Sequence, residues 1–96
     1  MDIKIRNLLY EFNNLCRKDR SIKGWVNYIN SYGELQTDID FIDYDDNIYN
    51  YHNVITPLAL SGVSLDDIKN YAIFMFENIK NSFIKEKIIG MLKNED

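Results

Sequence analysis

The sequence predicts a mostly α fold: a compact single-domain bundle of four or five helices over residues 1–96, with a short acidic extended or edge-strand segment near residues 34–46. Three observations carry this prediction. Apolar residues recur with helical spacing near both ends of the chain. Alternation of apolar and polar residues is confined to a few positions after Gly33. The 96 residues, of which 46% are hydrophobic, leave room for one modest core.

The first predicted helix follows from an apolar stripe near the amino terminus. Its members recur at spacings of three and four and therefore share one helix face: Ile5, Leu8, Leu9, Phe12, Leu15 and Cys16. The basic residues at 17, 18 and 20 suit a helix end, where cations complement the dipole. Cys16, the single cysteine, is expected to be a small buried hydrophobe rather than a nucleophile paired with His52.

A second helix is predicted between Ser21, which suits an N-cap, and Gly33, which suits a C-terminal stop. The apolar residues in between repeat the helical spacing: Ile22, Trp25, Val26 and Ile29.

The next segment has period two, which is typical of a half-exposed strand. Its inward positions would be Leu35, Thr37, Ile39 and Phe41, and they alternate with Gln36, Asp38 and Asp40. Aspartate is a poor strand former, so we expect an acidic edge strand or extended loop rather than a central strand. The conformation of residues 42–56 stays open, although Ile48, Tyr51 and Ile55 would line a short helix.

The remaining residues predict a short turn and a long helix. Pro57 suits the first position of a helical turn after Thr56. Ser64 suits the N-cap of the long helix, and Asp66 and Asp67 suit its first turn. Helical spacing continues from Leu65 to the end of the chain, with a kink expected near residues 81–82.

Charge is distributed unevenly along this chain, whose net charge is −4. Residues 24–68 contain eight acidic and no basic side chains, whereas residues 1–23 contain six basic and three acidic ones. Five of the seven tyrosines lie between positions 28 and 51. The acidic segment is therefore also the tyrosine-rich one, and this coincidence is the main clue to function.

Several function classes lack support in the sequence. Asp43, Asp45 and Asn47 match positions 1, 3 and 5 of a calcium loop, but Ile48 and Val54 stand where it needs Gly and Glu. No motif of catalysis, phosphate binding or cofactor binding occurs, so we expect no enzyme, no cofactor and no metal site. Direct nucleic-acid binding is disfavoured by the negative charge. Without a membrane-length apolar run or a signal peptide, we expect a cytoplasmic protein.

The acidic, tyrosine-rich segment is interpreted as a protein interface. Tyrosine gives large contact area with a polar tip, and carboxylates complement a basic surface. The candidate partner-binding residues are Asp38, Asp40, Asp43, Tyr44, Asp45, Asp46, Tyr49 and Tyr51. The alternative interpretation of the same segment is a solvated surface with some of the tyrosines in the core.

In its overall character the chain resembles the small acidic immunity proteins of bacteria, such as those paired with colicins and contact-dependent growth inhibition toxins. The resemblance lies in size, cytosolic character, acidic face, one-domain helical build and a composition rich in Ile and Asn. It covers the whole chain and involves no fixed motif, so it assigns no residue. It implies a non-catalytic inhibitor of a cognate basic toxin, with a nuclease domain as the expected partner.

A second hypothesis assigns the chain to a different functional class. In it the chain is a helical protein–protein interaction or assembly module with a structural or regulatory role. In that case an apolar helix face near the carboxyl end would form a homo-oligomer through Phe74, Phe76, Phe83 or Met91. Salt separates the two hypotheses, because charge attraction weakens with ionic strength and apolar packing does not.

Overall fold

In the computed structural model, which describes residues 2–93, two helices flank one face of a three-stranded antiparallel sheet. The prediction of a mostly α bundle of four or five helices is therefore wrong, because 26% of these residues are in strands and the domain is α+β. The elements are helix α1 (Ile3–Lys18), strands β1 (Ile22–Ile29), β2 (Leu35–Ile42) and β3 (Ile48–Ile55), a 3-10 turn (Pro57–Leu60) and helix α2 (Leu65–Lys93).

Helix α1 confirms the first predicted helix. Its inward face buries Ile5, Leu8, Phe12 and Cys16. The Asp2 carboxylate caps its first turn by accepting a hydrogen bond of 2.8 Å from the backbone N–H of Lys4.

The second predicted helix is wrong, because residues 22–29 form strand β1. Its apolar residues fit both a helical and a strand spacing, so periodicity did not decide between them. Trp25, Val26 and Ile29 are β-branched or aromatic and prefer strands, and Gly24 is costly inside a helix. Pairing with β2 then satisfies the backbone groups on one side of β1.

Strand β2 confirms the predicted alternation, with Leu35, Thr37, Ile39 and Phe41 buried. Its predicted edge position is wrong, because β2 pairs with β1 on one side and β3 on the other. Aspartate is tolerated on this central strand because Asp38 and Asp40 lie on the face that the helices leave open, where water can reach both carboxylates.

The suggested short helix within residues 48–55 is also wrong, because this segment forms the edge strand β3. Tyr49, Tyr51 and Asn53 alternate with exposed residues and point to the same side as the buried Ile55. Alternation of this kind is the pattern of a half-exposed strand.

Helix α2 begins with the predicted cap at Ser64. The Ser64 hydroxyl accepts a hydrogen bond of 3.2 Å from the backbone N–H of Asp67. The Asp67 carboxylate in turn accepts one of 3.3 Å from the backbone N–H of Ser64. The helix continues without interruption through residues 81–82, where a kink is predicted, to Lys93. Its buried residues all lie in the first half: Ile68, Ala72, Phe76 and Ile79. Pro57 occupies the start of the 3-10 turn as predicted.

The core lies between the helices and one sheet face. Helix α1 packs mainly against β1 and α2, and α2 also contacts β3. An ion pair of 2.9 Å between Lys80 Nζ and Asp19 Oδ2 joins the end of α1 to α2. The other sheet face has no second layer in the described part of the chain. No helix among these residues has the length and apolar character needed to cross a bilayer.

Candidate functional site

The candidate site is the sheet face that the helices do not cover, here called the open face. On β2 it presents Gln36, Asp38, Asp40 and Ile42, whose neighbours in sequence point into the core. The antiparallel register places residues of β1 and β3 on either side of each of them. The two carboxylates therefore project from the centre of a three-stranded surface.

Asp38 lies in a cross-strand row with Val26 on β1 and His52 on β3. Its Oδ1 is 2.8 Å from Nδ1 of His52, and both side chains are partly exposed. An ionised carboxylate can only accept a hydrogen bond, so this contact requires a proton on Nδ1. No hydrogen bond within the described residues uses Oδ2 of Asp38, which is left for another donor.

Asp40 lies in the neighbouring row, between Gly24 and Asn50. Its Oδ1 accepts a hydrogen bond of 2.9 Å from Nδ2 of Asn50. A Cβ atom at Gly24 would come within 4.0 Å of Oδ2, so the glycine leaves that oxygen uncovered on the β1 side. Each carboxylate is thus oriented by one neighbour and keeps one oxygen available.

Apolar side chains border the two carboxylates. They are well exposed to solvent and lie on the same face: Val26, Tyr28, Ile48 and Val54. The paired strand positions of this face carry no lysine or arginine. The one lysine in the strands, Lys23, is unpaired and lies at the register shift between Ile22 and Gly24. The open face is therefore a mixed surface with a carboxylate centre and an apolar border.

Asp43 begins the β2–β3 turn (residues 43–47) and has a structural role there. Its Oδ1 accepts from the backbone N–H groups of Asp45 and Asn47 at 2.9 and 3.0 Å, and its Oδ2 lies 3.6 Å from Nζ of Lys87 on α2. Desolvation acts to raise the pKa of Asp43. The hydrogen bonds from Asn47 and Asp45 and the charge of Lys87 outweigh it and hold that pKa below its ordinary value.

The other residues of this turn are exposed. Tyr44 is fully accessible to solvent, and Lys87 Nζ lies 5.9 Å from the centroid of its ring. Asp46 has a positive φ of 64°, in the left-handed region that non-glycine residues seldom adopt. The carboxylates of Asp45 and Asp46 form no hydrogen bond or ion pair within residues 2–93, so they are available to a partner at this end of the sheet.

Tyr49 and Tyr51 point to the helix side of the sheet rather than to the open face. Tyr49 packs edge-on against Phe83 with ring centroids 4.9 Å apart, and Tyr51 packs against the core. The eight predicted interface residues therefore separate into three groups: two carboxylates on the open face, four residues in the β2–β3 turn, and two tyrosines on the covered side.

Cys16 lies in the core on the covered side of the sheet, whereas His52 is on the open face. Burial raises the pKa of the Cys16 thiol to about 11, although a hydrogen bond from Asn27 acts to lower it. The two side chains therefore cannot form a nucleophile–base pair, and the thiol is protonated at neutral pH.

Sequence reasoning missed the partners of the two central carboxylates, which are Gly24, Asn50 and His52. The signal for β3 was present, because residues 48–55 alternate between inward and outward positions when a strand is assumed. The cross-strand register, however, follows from the turn lengths and could only be read from the fold.

Within the described residues, no group of three or more His, Cys, Asp or Glu side chains is arranged to hold a metal ion. Comparisons of the chain with protein-family models, with curated proteins and with solved structures found no match. The geometry of the open face and the β2–β3 turn is therefore the basis for assigning a function.

Proposed function

We propose that the chain is a non-catalytic binding protein whose open face and β2–β3 turn bind a basic partner. In this proposal it acts as the immunity protein of a cognate toxin domain. A nuclease is the expected class of that toxin. The observation that carries the proposal is the pair Asp38 and Asp40. Each is held by one hydrogen-bonded neighbour and has a free oxygen on an uncovered sheet face.

This arrangement suits arginine or lysine in a partner. Residues two apart on one strand project side by side, about 7 Å apart by strand geometry, so two cations could be bound together. His52 and Asn50 restrict the rotation of the carboxylates before any partner arrives. Ordering the side chains in advance reduces the entropy lost on binding.

Long-range attraction supports the same proposal. Asp45 and Asp46 stand at one end of the sheet, and the acidic segment contains no compensating lysine or arginine. Negative charge concentrated in this way accelerates encounter with a basic surface, most strongly at low ionic strength. A nuclease cleft, which is built to hold phosphates, is a surface of that kind.

The test is capture by the tagged full chain from its own host, including the product of the gene immediately upstream, at about 50 mM and about 500 mM salt. We expect a basic protein to bind at low salt and to be released at high salt. The nuclease activity of that protein should fall to zero at one equivalent of this chain.

Single variants then locate the interface. Asp40→Asn and Asp38→Asn should weaken binding by about 2–5 kcal/mol if the carboxylates become desolvated in the complex. Asp66→Asn in the first turn of α2 is the matched control and should leave binding unchanged. The proposal fails if neither open-face variant affects the binding of any captured protein, or if that protein keeps its full activity when bound.

A second candidate function, an assembly module, is favoured by exposed apolar residues on α2. Phe74 is 60% and Met91 59% exposed, whereas Phe76 is buried and Phe83 stacks on Phe41 with centroids 5.0 Å apart. Only the first two are free to contact another copy. Sedimentation at both salt concentrations separates the two functions. A salt-insensitive oligomer that Phe74→Ser or Met91→Ser dissociates would support assembly.

A further inference from the structure

A groove lies between the carboxyl-terminal half of α2 and the end of the sheet near the β2–β3 turn, away from the two open-face carboxylates. Its volume is about 580 Å³, within the usual range for small-molecule sites. Its apolar wall is formed by Ile42, Tyr44, Phe83 and Ile84. Phe83 is fixed in place because it packs between the rings of Phe41 and Tyr49.

The groove exists because α2 is longer than the sheet that it packs against. The helix has 29 residues and each strand has eight, so α2 should span about 43 Å and a strand about 27 Å. No residue of α2 after Ile79 is fully buried, although the apolar pattern continues through Ile84 and Ile88. The overhanging part of α2 therefore presents an apolar surface beside the groove.

The charge at the groove is positive, in contrast to the protein as a whole. Arg20 and Lys87 line it together with a single acid, Asp43. Lys87 is paired with Asp43 and lies over the Tyr44 ring. The Arg20 guanidinium is exposed and makes no hydrogen bond or ion pair within residues 2–93, whereas the nearby Arg17 donates to Asn14. A free guanidinium beside an apolar wall matches a carboxylate with an apolar tail.

We propose that this groove binds a small amphipathic monocarboxylate, with the carboxylate at Arg20 and the alkyl chain against Phe83 and Ile84. Three lines of observation agree: the size of the groove, its apolar wall, and a cation without a partner in an otherwise acidic protein. The groove shares Ile42, Asp43 and Tyr44 with the surface proposed above for the partner, but it does not include Asp38 or Asp40. Loss of octanoate binding therefore does not bear on the role of those two carboxylates.

The probe is octanoate, titrated into the isotopically labelled full chain while backbone amide shifts are recorded. We expect saturable shifts near residues 20–21, 42–44 and 83–87, with Kd of about 1 mM or below. 1-Octanol and octylammonium have the same tail with a neutral and a cationic head, and they should bind at least about tenfold more weakly.

Two variants and two matched controls complete the test. Arg20→Gln should weaken octanoate about tenfold and leave octanol unchanged, whereas Arg17→Gln, an exposed arginine of α1, should change neither. Ile84→Ser should weaken both ligands, whereas Ile73→Ser, which is similarly exposed on α2 but outside the groove, should not.

Several results would overturn the proposal. One is equal binding of octanoate and octanol, or no effect of Arg20→Gln on octanoate. Another is a set of shifts that centre on Asp38 and Asp40 or do not saturate. A third is a dimer in sedimentation that Ile84→Ser dissociates, because a second copy would then occupy the groove.

Discussion

The two hairpin turns of the sheet share one backbone design but differ in the side chains that build it. In the β1–β2 turn (residues 30–34), Asn30 Oδ1 accepts from the N–H groups of Tyr32 and Glu34. In the β2–β3 turn, Asp43 Oδ1 accepts from Asp45 and Asn47, the equivalent positions. The backbone bonds that close the turns also correspond, from Gly33 N to Asn30 O and from Asp46 N to Asp43 O.

The turns differ at the left-handed position and in charge. Gly33 has a φ of 77° and Asp46 a φ of 64°, so aspartate stands where glycine would be least strained. The first turn contains one acidic residue and the second contains three. The β2–β3 turn thus keeps charge at a conformational cost, as the partner-binding role proposed for this turn would require.

The largest expected effect on stability comes from Gly33→Ala. A left-handed conformation costs an L-residue about 1–2 kcal/mol, and nothing lies within 4 Å of the added Cβ, so the loss is conformational and not steric. Urea unfolding measures it. Gly90→Ala on α2 is the matched control, also with open space around the Cβ, and should stabilise by up to about 1 kcal/mol because alanine favours a helix.

Exchanging the two left-handed residues tests the comparison directly. Asp46→Gly should stabilise by up to about 1 kcal/mol and Gly33→Asp should destabilise by a similar amount, since only glycine adopts this conformation without strain. Both values come from the same urea experiment. If the two substitutions shift stability in the same direction, the turns are not equivalent and the proposed strain at Asp46 is absent.

The loss of stability at acidic pH should depend in part on Asp43. Asn30, the equivalent residue of the β1–β2 turn, has no carboxylate to contribute to it. Because the folded-state pKa of Asp43 is lowered, its stabilisation is present above the unfolded value of 3.8 and is lost as pH falls through the lower folded pKa. Asp43→Asn keeps an acceptor for both backbone N–H groups and should flatten the fall in unfolding free energy between about pH 5 and 2.

Asp45→Asn is the control variant in the same turn, because its carboxylate makes no hydrogen bond within the described residues. Part of the fall in unfolding free energy at acidic pH should remain in every turn variant. Asp19 also has a lowered pKa: burial opposes the shift, but hydrogen bonds from Ser21 and Lys80 outweigh it. A wild-type slope in Asp43→Asn would show that the folded protein does not lower the pKa of Asp43.

The smallest expected effect belongs to the exposed charge of Asp45. Asp45→Asn should change stability by less than about 0.5 kcal/mol, as is usual for an exposed site. It should slow association with a basic partner on the order of twofold at low salt, because charges at an interface rim act mainly on encounter. Stopped-flow binding measures this rate, and Asp66→Asn should leave it unchanged. Equal slowing by both variants would remove the turn from the interface.

How much the sequence predicted depended on whether a pattern fitted one structure or two. The stripe of α1 is too long and too regular for a strand, and it was assigned correctly. Residues 22–29 fit both spacings, and the prediction of a helix there is wrong. Alternation in β2 was clear, but its edge position was inferred from aspartate propensity, which does not apply on an uncovered sheet face.

The candidate site was predicted in part. The sequence identified the acidic, tyrosine-rich segment, and the charge gap over residues 24–68 required no structure. It did not separate Asp38 and Asp40 from Asp43, which the turn uses for its own hydrogen bonds. Nor did it place Tyr49 and Tyr51 on the covered side, because strand phase decides which way a side chain points.

By itself the sequence determined the helical periodicity of α1 and α2, the cap at Ser64 and the uneven charge, because these depend on residues close together in the chain. Only the tertiary structure decided that β1 and β3 pair with β2, and that Gly24, Asn50 and His52 flank the central carboxylates. It also decided that α2 extends beyond the sheet and forms a groove there. Those features join residues distant in sequence, and local propensity holds no information about which distant segments will meet.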